Sequence, residues 1–279
     1  MTTPTHWSAL RSPRLILAIL AALALTACDL SLGRLTARAT EEWTRSYPLA
    51  AGGEIRIGNT NGRIEVEGVE GSTVEVRAEK IARAATETGA SELLPRITIK
   101  EDVQPDRVSV ETERLTGIMI GAAFEVRYHV RAPKGAVVNV TTTNGGIALT
   151  SLGGKTVAHT TNGGVNAKEM SGAIEARSTN GGVTLDVASV GAEKISARTT
   201  NGGVVLMLPD SAKADLTASC TNGGIVLAPD LKVDVTEHSR RNLEARMNGG
   251  GTSIDLHTTN GGVRIRPRGG IAERETDEK

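Results

Sequence analysis

The sequence predicts an all-β fold: a parallel β-solenoid of about 18–21-residue coils with Asn-Gly corners. Three observations predict it. A short word, Thr-Asn-Gly followed by Gly and an aliphatic residue, recurs along the 279-residue chain. Apolar and polar side chains alternate on both sides of each word. Phe, Trp and Tyr together make up only 2% of the chain while Gly reaches 32 residues, so the core must be thin and built from Val, Ile, Leu, Ala and Thr. Glycine-rich words without a collagen triplet point to stacked repeats.

The corners fall at Asn61, Asn144, Asn162, Asn180, Asn201, Asn222 and Asn260, with Asn248 of Met-Asn-Gly-Gly-Gly as a degenerate member. The steps from Asn144 to Asn222 are 18, 18, 21 and 21 residues. Strand side chains alternate between faces, so positions can be compared by parity. Four residues before the Asn stand Val140, Ala158, Ala176, Ala197, Ala218 and Leu256. Two before stand Thr142, Thr160, Ser178, Thr199, Cys220 and Thr258. This face is small and inward. The opposite parity carries Glu175 and Arg177, Ser196 and Arg198, Asp255 and His257. Three residues after the Asn, Ile147, Val165, Val183, Val204, Ile225 and Val263 begin a second inward-facing strand. Each unit thus reads as strand, Asn-Gly corner, strand and looser corner. One such unit cannot bury its inner face, but a stack can.

Glycine supplies the tight backbone approach that a corner needs, and Asn tolerates the left-handed region while bonding to neighbouring backbone. Parity places the Asn amides inward, where they are expected to bond to the coils above and below as stacked amides do. The Thr before each Asn faces outward as its own stripe. The competing reading, a Thr-Asn groove for a ligand, makes that stripe a contact face.

Residues 1–27 read as an export signal. Arg11 and Arg14 precede an apolar run, Leu15–Leu25, too short to span a bilayer. Leu25-Thr26-Ala27-Cys28 resembles the bacterial lipobox. That resemblance implies that Cys28 becomes the first mature residue and carries a lipid. Removing residues 1–27 takes away two arginines and no acid, leaving 30 basic against 32 acidic residues. A near-neutral chain without a clustered basic face excludes nucleic acid as the expected partner. Asp29 after the cysteine resembles an inner-membrane retention signal. Residues 28–45 are expected to be a lipidated tether, 46–266 the solenoid domain, and 267–279 a disordered, charged tail.

An 83-residue stretch separates Asn61 from Asn144. Its strongly alternating segments predict an antiparallel β insert at 83–137 that caps the open N-terminal end, since an open coil exposes unpaired strand edges. Phe124, Tyr128 and Trp43 are expected to pack there. The apolar run at 115–124 is expected to be buried cap, the alternative being an exposed patch for a partner or a membrane.

No catalytic, metal or cofactor site is predicted. Cys220 takes an inward Thr slot and reads as a small buried filler. His159 and His257 share an outward column but are placed several coils apart, too far to share a metal. The corners lack the Asp of calcium-binding repeats. Glu175 has no acid in the flanking coils with which to form a glycosidase pair.

The lipobox, the opening strand Gly-Gly-Glu-Ile-Arg-Ile, Asn-Gly-Arg-Ile and the serial Thr-Asn-Gly-Gly-Val words together resemble a bacterial "putative adhesin" family of β-solenoid lipoproteins. The head domain of autotransporter adhesins is similar. The resemblance covers roughly residues 46–266. It implies a membrane-tethered, adhesin-like binding or scaffold module of the cell envelope, on the periplasmic face of the inner or outer membrane or on the cell surface. Its partner would be an envelope protein or glycan. The alternatives are a carbohydrate-active β-helix enzyme and an accessory protein in envelope-stress sensing.

Overall fold

The computed structural model describes residues 35–113, 115 and 121–269. The expected signal at 1–27, the lipidated Cys28, residues 116–120 of the apolar run at 115–124 and the tail at 270–279 lie outside the described residues.

The chain opens with β1 (Ala37–Pro48). β2 (Glu54–Asn61) turns at an Asn-Gly corner into β3 (Ile64–Val69), and β4 (Thr73–Ala84) follows. A short helix, α1 (Glu87–Leu93), is capped by the Thr86 hydroxyl, which accepts from the Gly89 N–H at 3.1 Å. Then come β5 (Ile99–Gln104), β6 (Arg107–Thr112) and β7 (Ala122–Pro133). From there strands alternate about the corners. β8 (Val137–Asn144) leads to β9 (Ile147–Thr150), and β10 (Thr156–Asn162) to β11 (Val165–Met170). β12 (Ile174–Asn180) leads to β13 (Val183–Val187), β14 (Ile195–Asn201) to β15 (Val204–Leu208), and β16 (Ala214–Asn222) to β17 (Ile225–Leu227). A hairpin of β18 (Asp234–His238) and β19 (Asn242–Met247) precedes β20 (Thr252–Asn260) and β21 (Val263–Pro267).

The strands form two facing sheets. One runs β1-β4-β7-β3-β9-β11-β13-β15-β21-β17, the other β18-β19-β16-β20-β14-β12-β10-β8-β2-β6-β5. The strands that flank the Asn-Gly corners pair in parallel from coil to coil, as a β-solenoid requires. Their inward residues fill one continuous core in which Ala158, Ala176 and Ala197 are wholly buried, together with Leu149, Leu185 and Leu206.

The solenoid departs from sequence order at its C-terminal end. β20 and β21 insert between the coil of β14 and β15 and the coil of β16 and β17. Among the seven coils with an Asn-Gly corner, the sixth in space is thus the seventh in sequence. The β18–β19 hairpin makes this possible: β19 runs antiparallel along the far side of β16 and returns the chain for β20 to enter on the near side.

Three further expectations need correction. The tether does not extend to residue 45, because β1 pairs antiparallel with β4 along its whole length, from Ala37↔Ala84 to Pro48↔Thr73. The insert at 83–137 is not simply antiparallel. β6 lies parallel to β2 and β7 parallel to β3, so these two strands form an extra coil without an Asn word. The antiparallel strands of the cap are β1, β4 and β5. At the other end, Pro267 belongs to β21 rather than to a tail, and Arg268 pairs with Asp186 at 2.5 Å. Of the expected cap aromatics, Tyr128 is fully buried with its hydroxyl 2.8 Å from Thr112 Oγ1, while Trp43 and Phe124 pack half-buried against the core. Leu115 is likewise half-buried.

The glycine after each Asn sets the distance between coils. A Cβ added to Gly163 would overlap the carbonyl oxygen of Gly145 in the coil beside it, and the residue has φ +156°. Gly135 lies at a looser corner with open space around it. Gly163→Ala should therefore cost at least about 2 kcal/mol in urea-denaturation stability, whereas Gly135→Ala should stay within about 0.5 kcal/mol of the parent. Equal losses would show that corner spacing does not depend on the missing side chain.

Candidate functional site

The corners align residues spread over the chain from Asn61 to Asn260. All seven corner asparagines stand in one file, in the order Asn61, Asn144, Asn162, Asn180, Asn201, Asn260, Asn222. Each Nδ2 donates to the Oδ1 of the next amide toward Asn61, at 2.7–2.8 Å. Asn248 is not in the file. It sits in a turn at φ 49° and donates to the carbonyls of Asp210 and Ala212.

The amides do not face the core. Six of the seven are exposed, and Asn61 is half-exposed. Parity holds only while the backbone stays extended, and the bend at Asn-Gly swings the amide to the outside of the corner. The inward slot belongs to the residue two positions earlier. Thr160 Oγ1 donates to the Gly145 carbonyl at 2.8 Å, and Ser178 does the same to Gly163. Thr199 reaches Gly181 at 2.7 Å and Thr258 reaches Gly202 at 2.8 Å. This buried hydroxyl file runs beneath the amide file. In the first coil Asn59 replaces the hydroxyl, its Nδ2 donating to the Val126 carbonyl at 2.7 Å. In the last, Cys220 is 5% exposed with its thiol 3.8 Å from the Arg240 carbonyl, consistent with a filler. Sequence reasoning saw that the Thr and Ser side chains point inward but missed what they bond.

The outer face of the β16–β2 sheet carries aligned columns of side chains. In register, His159 neighbours Arg177, Arg177 neighbours Arg198, and Arg198 neighbours His257. The two histidines are three coils apart, with two arginines between them, so they share no metal; no cluster of three or more metal-binding side chains occurs among the described residues. Beside this column runs the threonine stripe, including Thr161, Thr179, Thr200 and Thr259. Column and stripe line a shallow groove of about 510 Å³. Glu175 pairs with Arg177 at 2.8 Å and lies 3.4 Å from His159 Nε2. His257 Nδ1 is 2.9 Å from Ser219 Oγ.

Burial, helped by the neighbouring Glu101 carboxylate 2.5 Å away, pushes the Tyr47 hydroxyl above its ordinary value, and burial does the same to Tyr128. Asp215 is held below the usual carboxylate range by the Gly251 N–H and then by Arg246.

The sequence matches the Toastrack DUF4097 family over residues 50–266. Among solved structures, it is similar to a "putative cell adhesion protein" from Clostridium sporogenes, with 9% identity over 82% of this chain and all of that one, at a TM-score of 0.47. A "putative adhesin" from Bacteroides fragilis is 10% identical over 82% of this chain and 97% of that one, with a TM-score of 0.36. A "putative lipid binding protein" from Parabacteroides distasonis is 10% identical over the same shares, with a TM-score of 0.25. No curated protein matches the sequence.

The spatial order of the amide file gives a test. Asn260 comes last in sequence but has an amide on each side, whereas Asn222 ends the file. Asn260→Ala breaks two exposed hydrogen bonds and should cost about 1–2 kcal/mol, with Asn222→Ala costing about half of that. Urea denaturation of both variants checks the ranking; a larger loss at Asn222 would contradict it.

Proposed function

The chain belongs to the Toastrack DUF4097 family, and from that premise we propose that it is a lipid-anchored cell-envelope module that binds or scaffolds without catalysis. The observation that supports this reading most is the in-register outer face of the β16–β2 sheet. It repeats one position of each coil as a broad polar surface with a shallow groove. Catalytic sites gather titratable groups around a shaped pocket. Glu175, beside this groove, is paired with Arg177 and flanked in register by Val157 and Ser196. The next acid in that column, Asp255, stands two coils from Glu175 and is held by Lys194, so each carboxylate is committed to a cation rather than left free for glycoside hydrolysis.

Attachment to the membrane runs through Cys28 in this reading. Among the described residues no helix is long and apolar enough to cross a membrane. β1 begins at Ala37, nine residues beyond Cys28. Even a fully extended link would hold the solenoid within about 30 Å of a lipid there, at the level of an envelope surface.

Two measurements test the proposal. Cys28→Ala should move the protein from the membrane pellet to the soluble fraction or leave the signal uncleaved; unchanged lipid labelling would contradict the anchor. Immobilised protein should retain a glycan or a protein from solubilised envelope fractions. Failure to retain any component, with the fold intact by circular dichroism, would contradict a binding role.

A further inference from the structure

We propose that the groove beside Arg177 and Arg198 binds an acidic polysaccharide, laid along the solenoid axis across successive strands. This inference deepens the binding role and rests on it.

The charge arrangement carries the argument. Like charges held directly opposite each other on neighbouring strands destabilise a sheet. Arg177 and Arg198 are paired in register on adjacent strands, with His159 and His257 next in line. Glu175 pairs with Arg177, and Arg198 has no carboxylate partner among the described residues. Several arginines on other strands stand beside an acid instead: Arg56 has Glu54, Arg77 has Glu42 and Arg131 has Glu75. A carboxylate between the two guanidinium groups would relieve their repulsion and form charge-assisted hydrogen bonds in a fork geometry suited to it.

The shape and the second column narrow the class of ligand. Four cationic or imidazole side chains in line span three coil steps, about 14 Å at roughly 4.8 Å per step. One step is close to the length of a pyranose unit. The parallel threonine stripe offers a hydroxyl at every step, each able to donate and accept. Sugar hydroxyls alternating with acidic groups match those two columns. The lining offers no aromatic or large aliphatic side chain to receive an acyl chain or an apolar peptide anchor.

The test uses the full-length protein with polygalacturonate oligomers as the acidic probe and dextran as the neutral one. Polygalacturonate should bind, weaken as salt screens the charges, and lose at least tenfold in affinity in the Arg177→Gln/Arg198→Gln variant. Arg131→Gln, on the other sheet, should leave binding unchanged. Glu175→Gln should tighten binding several-fold, because it frees Arg177. That gain cannot arise from misfolding. Equal affinity in the parent and the double arginine variant, or equal binding of dextran, would overturn the inference. If neither probe binds but envelope components are still retained, the acidic-glycan assignment fails and the binding role stands. If nothing is retained, the binding role fails and takes the inference with it.

Discussion

At every Asn-Gly corner the backbone of one coil rests against a carbonyl of the coil beside it, a glycine's at all but the first corner, where it is Val126's, with no room for a Cβ between them. Gly163 meets Gly145, Gly181 meets Gly163, and Gly202 meets Gly181 in this way. The contact fixes adjacent coils one strand spacing apart and in the same register on both sheets. The buried hydroxyl file depends on it, because Ser178 and Thr199 donate to those same glycine carbonyls. The exposed amide file depends on it too, since Asn side chains bond end to end only when their corners coincide. So do the outer columns: Arg177 faces Arg198 because the corners below them are aligned.

The aromatic-poor core follows from the same geometry. Closely wound coils leave a narrow interior, and the two walls share it unequally. Ala158, Ala176 and Ala197 line one sheet, while leucines such as Leu185 and Leu206 come from the other. Small side chains facing large ones fill the space at constant sheet separation. Tyr47 and Tyr128 are kept for the N-terminal end, where the extra coil and the antiparallel strands close the stack. Covering that end matters because an open stack would present unpaired strand edges. The β18–β19 hairpin covers the other end of the β16 sheet.

Much of this was legible in the sequence because a strand has period two and the words mark its phase. The inward positions Ala176, Ser178, Val183 and Leu185 are all buried, as parity requires. Cys220 in a Thr slot was legible for the same reason. What parity could not reach were features set by pairing rather than by phase. The swap of the last two coils leaves no trace in alternation, because β16 and β20 carry the same inward pattern wherever they stack. β6 and β7 form a coil without a corner word, so a search for Asn-Gly passes over them. β1 looked like a tether because its edge position leaves most of its side chains exposed. The asparagines were given the wrong face because the bend begins at the residue whose phase was being counted. In the groove, the outward arginines were legible singly. Their meeting with His257 was not, because that contact depends on the coil swap.

The central claim is that corner contacts stack the coils in one register, with the last coil in sequence inserted before the previous one. Disulfide trapping tests it most directly, in a chain whose Cys28 and Cys220 are changed to Ser. Thr200 and Thr259 lie between the paired Thr199–Thr258 and Asn201–Asn260, on strands in direct contact. Their Cα atoms should be about 4.8 Å apart, within the range a disulfide can bridge. Thr200 and Thr221 are two coils apart, about 9.6 Å on the same spacing, beyond that range. Thr200→Cys/Thr259→Cys should therefore close to a disulfide under mild oxidation with the fold intact, while Thr200→Cys/Thr221→Cys should remain reduced. The opposite result, a bond between 200 and 221 and none between 200 and 259, would place the coils in sequence order and contradict the account.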